Sequence, residues 1–258
     1  MHRKEMIKKH LFTCSVMCVL VFISGLFICG KNDSKKTARN TADYKFIYAK
    51  SDHSNDFSFA DEAMPVNDKT ISRKLRRSLV KTSYSTVQSN ILQDEAAKLF
   101  PIIEPILKMY GVPDDFKYMP LIEAGLKSGV SKRGAAGWWQ FMPGTARTYG
   151  LKVGPGRDER YSIRKATVAA CKYLLELHGE FNSWTLAAAA YNNGEIQLAR
   201  AIRQQSEDNY FRMHLNKETG SYVYKLIAMK QVIEQPQKYG YRKRLSSTIL
   251  PDDLIAVN

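Results

Sequence analysis

The stretch VQSNILQDEAAKLFPIIEPILKMYG, residues 87–111, decides the fold class of this 258-residue chain. Its apolar side chains recur at intervals of three and four residues, which is the spacing of one face of an α-helix. Pro101 and Pro105 predict a kink or a division into two helices, because proline lacks the backbone donor that a helix interior needs. Gly111 predicts the end of the helix, since glycine tolerates the left-handed cap conformation.

Later stretches repeat the helical pattern. SIRKATVAACKYLLELHGEF begins at Ser162, and SWTLAAAAYNNGEIQLARAIRQQ begins at Ser183; serine is a typical N-cap residue. GSYVYKLIAMKQVIEQP predicts one more helix, which ends at a proline. No stretch alternates with a period of two, so the sequence predicts a mainly α domain over residues 87–240, with a tail over 241–258.

The N-terminus predicts export from the cytoplasm. The basic stretch MHRKEMIKKH precedes LFTCSVMCVLVFISGLFICG, an uncharged apolar run over residues 11–30. This pattern is typical of a signal peptide or signal anchor. Two attachments remain open, a lipid on Cys29 or an uncleaved membrane helix. Both take the rest of the chain out of the cytoplasm, which argues against nucleic acid as the partner of the +14 net charge.

Residues 31–86 predict a flexible basic tether, because the segment begins rich in lysine, serine and asparagine without periodic apolar positions. Within it, ISRKLRRSLVKTSYS has apolar residues at helical spacing. A short helix lying on the domain or on a membrane is one interpretation, but we favour a solvated basic segment. Cys171 is the one cysteine after residue 30; we expect a core thiol and neither a metal nor a cofactor.

A candidate acid lies in YMPLIEAGL, where apolar residues surround Glu123. Such surroundings raise the pKa of a carboxyl, as a general acid at neutral pH requires. From the local sequence alone, we favour a surface or capping glutamate near a helix end. The segment GAAGWWQFMPGTA then offers an amide in Gln140 and apolar surface in Met142 and two tryptophans, a combination suited to sugar rings. We expect at least one of these tryptophans to be a core residue.

Three blocks carry a family resemblance. They are PLIEAGLKSGVSKRGAAGWWQFMPGTARTYGL, DERYSIRKATVAACKYLLELHGEF and WTLAAAAYNNG, in this order. Together they resemble the SLT domain of lytic murein transglycosylases, glycoside hydrolase family 23, and the later YFRMHLNKETGSYVYKLIAMKQVIEQPQKYG resembles the membrane-bound D type. The resemblance covers residues 88–240. It implies a lysozyme-like helical domain with a substrate groove.

The resemblance also implies roles for single residues. Glu123 matches the family's catalytic acid/base, and Tyr191 matches the tyrosine whose hydroxyl bonds that carboxylate. The implied substrate-binding residues are Gln140, Met142, Tyr191, Asn192 and, less directly, Ser131. Asn192 is the structural partner of Tyr191 in its turn. The chain departs from the family at Ala124, where a serine usually follows the acid.

The implied activity is cleavage of the β-1,4 bond between N-acetylmuramic acid and N-acetylglucosamine without water, giving 1,6-anhydro-muropeptides in cell-wall remodelling or turnover. The implied partners are peptidoglycan strands and, through the N-terminal segment, a membrane; we expect a monomer. Two alternatives stay open, a hydrolytic muramidase and a non-catalytic peptidoglycan-binding or envelope-assembly module. A second acid would come from Asp158 or Glu159, although we favour a charged loop leading into a helix there.

Overall fold

The computed structural model describes residues 57–125 and 129–241, which fold mainly into helices. The helices are α1 (Lys69–Thr82), α2 (Tyr84–Val87), α3 (Ile91–Tyr110), α4 (Met119–Glu123), α5 (Pro143–Thr148), α6 (Ile163–Phe181), α7 (Trp184–Asn193), α8 (Glu195–Gln205) and α9 (Thr219–Glu234). Two antiparallel hairpins pair β1 (Ser58–Phe59) with β2 (Glu62–Ala63) and β3 (Val153–Gly154) with β4 (Arg157–Asp158). Short 3-10 turns cover Asp114–Tyr118, Glu159–Tyr161 and Pro236–Tyr239. The predicted mainly α class is confirmed.

The core forms around α9, which is apolar on nearly every side. Its residues from Tyr222 to Val232 are buried apart from Lys225 and Lys230. A helix that is apolar all round is stable only when other elements cover it. Here α1 and α7 pack on α9, while α6 lies against both α3 and α7. The alanines of α7 are fully buried, and their small side chains let neighbouring helices approach closely.

The predicted helix boundaries agree with the structure, with one exception. Gly111 ends α3 in the left-handed conformation, with a φ of 70°, and the Ser183 side chain caps α7 by accepting from the Leu186 amide. The exception is that α3 runs without division through Pro101 and Pro105. Both prolines are exposed, so the carbonyls that lose their helical donors can bond to water.

The structure differs from the predicted tether over residues 57–86. Instead of a flexible segment, it shows a hairpin followed by the amphipathic helix α1. Ile71, Leu75 and Leu79 form an apolar stripe that is buried where α1 packs on α9. Burying three such side chains contributes several kcal/mol, roughly 1.5–3 for each, which outweighs the polar character of the rest of the segment.

The hairpin also joins distant parts of the domain. The ring of Phe59 packs edge-on against Phe116 at 5.0 Å, and the Ala60 amide donates to the Asp115 carboxylate at 2.7 Å. Glu62 serves as a second cap for α7. Its carboxylate accepts hydrogen bonds from the Trp184 amide and from the Thr185 hydroxyl, the latter at 2.6 Å. The first described residues are therefore part of the folded domain.

Several predictions concern parts of the chain outside the described residues. The membrane-targeting segment 1–30, the attachment at Cys29 and the tail beyond residue 241 all belong to this group. Within residues 57–125 and 129–241, no helix is long and apolar enough to cross a bilayer. Cys171 is fully buried, as predicted for a core thiol, and burial raises the pKa of the thiol to about 12.

Candidate active site

Glu123 is the last residue of α4, a short helix that packs against α3 and α9. Pro120 lies in the first turn of the helix, where a missing backbone donor costs nothing, and the next residue, Leu121, is buried. This packing holds the Glu123 carboxyl against α9 with only part of its side chain exposed. The predicted acid therefore sits at a helix end that the core fixes in place.

A tyrosine of α9 holds the carboxyl. The Tyr222 hydroxyl donates a hydrogen bond to Oε1 of Glu123, and the tyrosine itself is buried. Burial raises the pKa of Glu123 to about 7, and the charge of Glu218 acts in the same direction. The Tyr222 hydrogen bond and the Lys225 charge oppose this rise. Glu123 can therefore exchange a proton near neutral pH, as a group that acts first as acid and then as base requires.

The raised pKa predicts a pH-dependent stability. Between pH 4.5, the ordinary value, and about 7, the folded chain keeps a proton that the unfolded chain has lost. The folded state therefore loses stability as the pH rises through this window. Glutamine does not titrate, so Glu123→Gln removes this loss of stability. The change that the substitution makes in the free energy of unfolding should therefore be more favourable above pH 7 than at acidic pH, by up to about 3 kcal/mol.

Urea unfolding near pH 4 and near pH 8 measures this difference. Glu180→Gln, which alters an exposed glutamate of α6, is the matched control and should change both values little. An equal effect of Glu123→Gln at the two pH values would contradict the raised pKa.

The structure corrects the role predicted for Tyr191. Its hydroxyl donates to the backbone carbonyl of Trp139 at 2.8 Å, whereas the carboxylate of Glu123 accepts from Tyr222. Tyr191 is nevertheless close enough for the Glu123 charge to raise its pKa, after burial as the larger cause. Its ring packs edge-on against Trp139 and Phe141. Tyr191 thus fixes α7 to the loop that follows the acid.

That loop owes its shape to Gly137 and Gln140. Gly137 has a φ of 76° and packs so tightly on the next segment that an added Cβ would lie 1.9 Å from the Arg160 carbonyl oxygen. Gln140 is also left-handed, with a φ of 47°, and its amide donates to the carbonyls of Gly137 at 2.7 Å and Gly129 at 3.0 Å. Ser131 accepts from the Ala135 amide at 3.0 Å, which closes a local turn.

The apolar residues of the loop divide between core and surface. Trp139 is fully buried and donates from its indole to Thr167 at 2.9 Å, so it is the core tryptophan that we expected. Trp138 is half-buried, whereas Met142 is 42% exposed and Val130 is 62% exposed. Met142 and Val130 are therefore available to a ligand.

Asn192 connects the end of α7 to the start of α9. Its side-chain oxygen accepts from the Thr219 hydroxyl at 3.2 Å, and its nitrogen donates to Glu218 at 3.4 Å. These bonds keep α7, which carries Tyr191, in register with α9, which carries Tyr222.

Asp158 and Glu159 form a charged structural loop, as we favoured. Glu159 bonds to Lys165 and Arg157, each at 2.6 Å, and these partners lower its pKa to about 2. Asp158 pairs with Arg160 at 2.6 Å, which also lowers its pKa. Both carboxyls are therefore ionised near neutral pH, which makes them poor proton donors.

Arg160 links this charged loop to the loop after the acid. Its guanidinium donates to the carbonyls of Gly134 at 2.6 Å and Phe141 at 3.0 Å. The ion pair between Arg160 and Asp158 thus supports the segment that carries Gln140. In the described part of the chain, no group of three or more metal-binding side chains is arranged to hold an ion.

The family model described as "Transglycosylase SLT domain" matches residues 104–213. These residues are therefore similar to the transglycosylase SLT family. The resemblance inferred from the three sequence blocks is thereby confirmed. The SLT match contains Glu123 and Tyr191 but ends before α9, so Tyr222 lies beyond it.

Two relatives of the SLT domain are both named membrane-bound lytic murein transglycosylase D. They come from Escherichia coli (strain K12) and from Escherichia coli O6:H1, and each is 31% identical over 142 residues. The match covers 53% of this chain and 31% of each relative, so the chain spans about a third of their length. The "Putative tributyltin chloride resistance protein" of Alteromonas sp. (strain M-1) is 28% identical over 167 residues, which is 62% of this chain and 80% of that protein.

Proposed function

We propose that this chain is a peptidoglycan lytic transglycosylase in which Glu123 is the single acid and base. The observation that carries the proposal is one carboxyl whose pKa is raised to about 7 by burial and which accepts a bond from the buried Tyr222 hydroxyl. The other two candidate acids are ion-paired and have lowered pKa values. The match to the SLT family model and the names of the Escherichia coli relatives support the same reaction.

One carboxyl is sufficient when the substrate supplies the nucleophiles. Protonated Glu123 gives its proton to the glycosidic oxygen, and the bond from that oxygen to the muramoyl anomeric carbon breaks. The acetamido group of the muramoyl residue stabilises the anomeric carbon. Glu123, now a carboxylate, removes the proton of the C6 hydroxyl, and that oxygen closes the 1,6-anhydro ring. The proton lost in the first step is regained in the second, whereas hydrolytic glycosidases use a second carboxylate.

Tyr222 suits a carboxyl that changes charge during the reaction. Burial and the nearby Glu123 charge raise the pKa of Tyr222 well above its ordinary value, so its hydroxyl keeps its proton at working pH. A neutral donor of this kind stabilises the carboxylate that forms after the first step, because hydrogen bonds to an ionised acceptor are the stronger ones. The tyrosine thereby favours proton transfer to the substrate.

The rest of the proposed site binds the glycan. We propose that Met142 contacts a sugar face, because its side chain is exposed at the start of α5. Gln140 and Ser131 present polar groups from the same loop, and Tyr191 and Asn192 support them from α7. We place the enzyme in the cell envelope, attached to a membrane at its periplasmic face through residues 1–30, where it would act in remodelling or turnover of the wall.

The mass of the product tests the proposed reaction. The full chain, kept in mild detergent, is incubated with purified sacculi, and the released muropeptides are weighed by mass spectrometry. We expect anhydro-muropeptides, which are one water lighter than hydrolytic products. Reducing muropeptides would assign a muramidase instead, and binding to sacculi without release would assign a non-catalytic module.

A muramidase would need a second carboxylate, and Glu218 is the candidate because its charge acts on Glu123. We expect Glu218→Gln to keep anhydro products and to lower the pKa of Glu123, since a repelling negative charge is removed. The alkaline limit of activity should move to lower pH. Loss of all release in this variant, with Glu180→Gln active, would favour the two-carboxylate mechanism.

Tyr222→Phe should raise the pKa of Glu123 further, because the lost hydrogen bond favours the ionised form. We expect the alkaline limit of kcat/KM to move to higher pH and kcat to fall about tenfold, the cost of one bond to a charged group. Tyr191→Phe is the matched control, since it loses a bond to Trp139 rather than to the acid. The same pH profile in both variants would contradict the assignment of Tyr222.

A further inference from the structure

The described residues carry their excess positive charge on one helix. α1 has six lysines and arginines and no acidic residue. Outside α1, the described residues contain 19 lysines and arginines against 18 aspartates and glutamates, which is close to neutral. One helix of 14 residues therefore sets the sign of the field around the domain.

The exposed face of α1 is a regular row of cations. Lys69, Arg73, Arg77 and Lys81 follow one another at four-residue intervals, and all four are exposed. Residues four apart lie on the same face of a helix, so the row extends over roughly 18 Å at 1.5 Å per residue. The apolar stripe of the same helix is buried on α9, which fixes the direction in which the row points.

The row is not neutralised within the described part of the chain. Lys69, Arg73, Arg77 and Lys81 form no ion pair with an acidic residue of that part. Like charges four residues apart destabilise a helix, so folding alone gives no reason for this arrangement. An extended anionic surface would relieve the repulsion along the whole row.

We propose that the exposed face of α1 docks on the anionic phospholipid headgroups of a membrane. The apolar run over residues 11–30 predicts a membrane segment, and the linker that follows it, residues 31–56, leads to the hairpin before α1. The polar sequence of this linker predicts a root-mean-square span of roughly 25–30 Å. The row is thus held within about one domain diameter of a bilayer, where basic residues are attracted to anionic lipids.

The C-terminal end of the described chain contacts the end of α1. The Tyr241 hydroxyl donates to the Thr82 carbonyl at 2.5 Å, and its ring packs edge-on against Tyr84. The described chain therefore ends beside the C-terminal end of α1. The next three residues in the sequence, Arg242, Lys243 and Arg244, are also cations.

Lysine footprinting tests the proposal on the full chain. The protein is reconstituted into vesicles of phosphatidylcholine, or of phosphatidylcholine with about a third of phosphatidylglycerol, and briefly acetylated. Mass spectrometry measures labelling at Lys69 and Lys81, with the exposed Lys172 of α6 as internal reference. We expect labelling of the two α1 lysines to fall about fivefold in the anionic vesicles only. It should recover at 1 M salt, where the screening length is about 3 Å.

Charge variants distinguish an effect of the α1 row from an effect of the total charge of the protein. Arg73→Gln with Arg77→Gln should weaken docking about 25-fold, at about fivefold for each cation, and should abolish the protection of Lys69 and Lys81. Arg200→Gln with Arg203→Gln removes the same charge from exposed positions of α8 and should keep the protection. Should the chain not enter vesicles, the same vesicles are added to the protein in solution and the footprint is repeated.

Each other outcome overturns the proposal. Equal labelling in both lipids means that the row does not meet an anionic surface. Protection by added sacculi in neutral vesicles, without protection by anionic lipid, assigns the row to the wall polymer. The footprint involves no catalysis and can be repeated with Glu123→Gln, so its failure would leave the proposed reaction untouched.

Discussion

Glu123→Gln should lower the release of anhydro-muropeptides from sacculi by at least about 10³-fold, the upper range for a positioned acid or base. Glutamine keeps the shape of the side chain and still accepts a hydrogen bond from Tyr222. It can neither give a proton to the glycosidic oxygen nor take one from the C6 hydroxyl. Both steps of the proposed reaction are therefore lost together, whereas groups that bind the glycan remain.

The pH dependence gives this variant a second readout. In the wild type, kcat/KM should fall about tenfold for each pH unit above about 7, since only the protonated Glu123 starts the reaction. The residual rate of the variant should lack this dependence. Cosedimentation with sacculi should show unchanged binding, and Glu180→Gln should behave as the wild type. Unchanged turnover in Glu123→Gln would refute the assignment of the acid.

Gly137→Ala should destabilise the domain by roughly 3–5 kcal/mol, through overpacking together with a left-handed φ that alanine disfavours. An alanine Cβ would lie 1.9 Å from the carbonyl oxygen and 2.7 Å from the carbonyl carbon of Arg160. Backbone atoms cannot turn away as a flexible side chain can. The loop must therefore separate from Arg160, whose guanidinium bonds to Gly134 and Phe141 depend on this approach.

Gly134→Ala is the matched control for this effect. Gly134 belongs to the same loop and also has a positive φ, 85°, but nothing lies within 4 Å of an added Cβ. Its replacement should therefore cost only the conformational part, about 1–2 kcal/mol. Urea unfolding measures both variants. Equal losses at Gly134 and Gly137 would show that close packing on Arg160 contributes nothing.

The sequence predicted best those elements whose signals are local. Gly111 and Ser183 mark helix ends through their own backbone and side-chain preferences, so the structure agrees with them. The prediction of a flexible tether over residues 57–86 was wrong, because the structure of this segment depends on contacts that are distant in the sequence. The apolar stripe of α1 is only three residues long and lies among six cations, and its partner α9 comes more than 130 residues later in the chain. Tertiary burial decides such a segment, and composition cannot reveal it.

In the candidate site, too, local features could be predicted and contacts between distant residues could not. The apolar neighbourhood made Glu123 a candidate, because desolvation by nearby residues is a local effect, but the family resemblance was needed to favour an acid over a surface or capping glutamate. The choice between Tyr191 and Tyr222 as its donor was not local, since the two tyrosines are 68 and 99 positions away along the chain. The family motif predicted Tyr191 as the donor to Glu123, whereas the packing of α9 puts the Tyr222 hydroxyl in that position. A tyrosine on a helix that is apolar all round was the signal available in the sequence.

The Glu62 cap on α7 has a consequence for how the chain is made. Trp184 comes 122 positions after Glu62. At synthesis rates of roughly 5–20 residues per second, Trp184 is made on the order of ten seconds after Glu62. The interval is longer for α1, because its partner α9 is the last long helix described. Such a contact cannot form before the later of its two segments has emerged. We therefore expect the domain to close once, after its final helix has arrived.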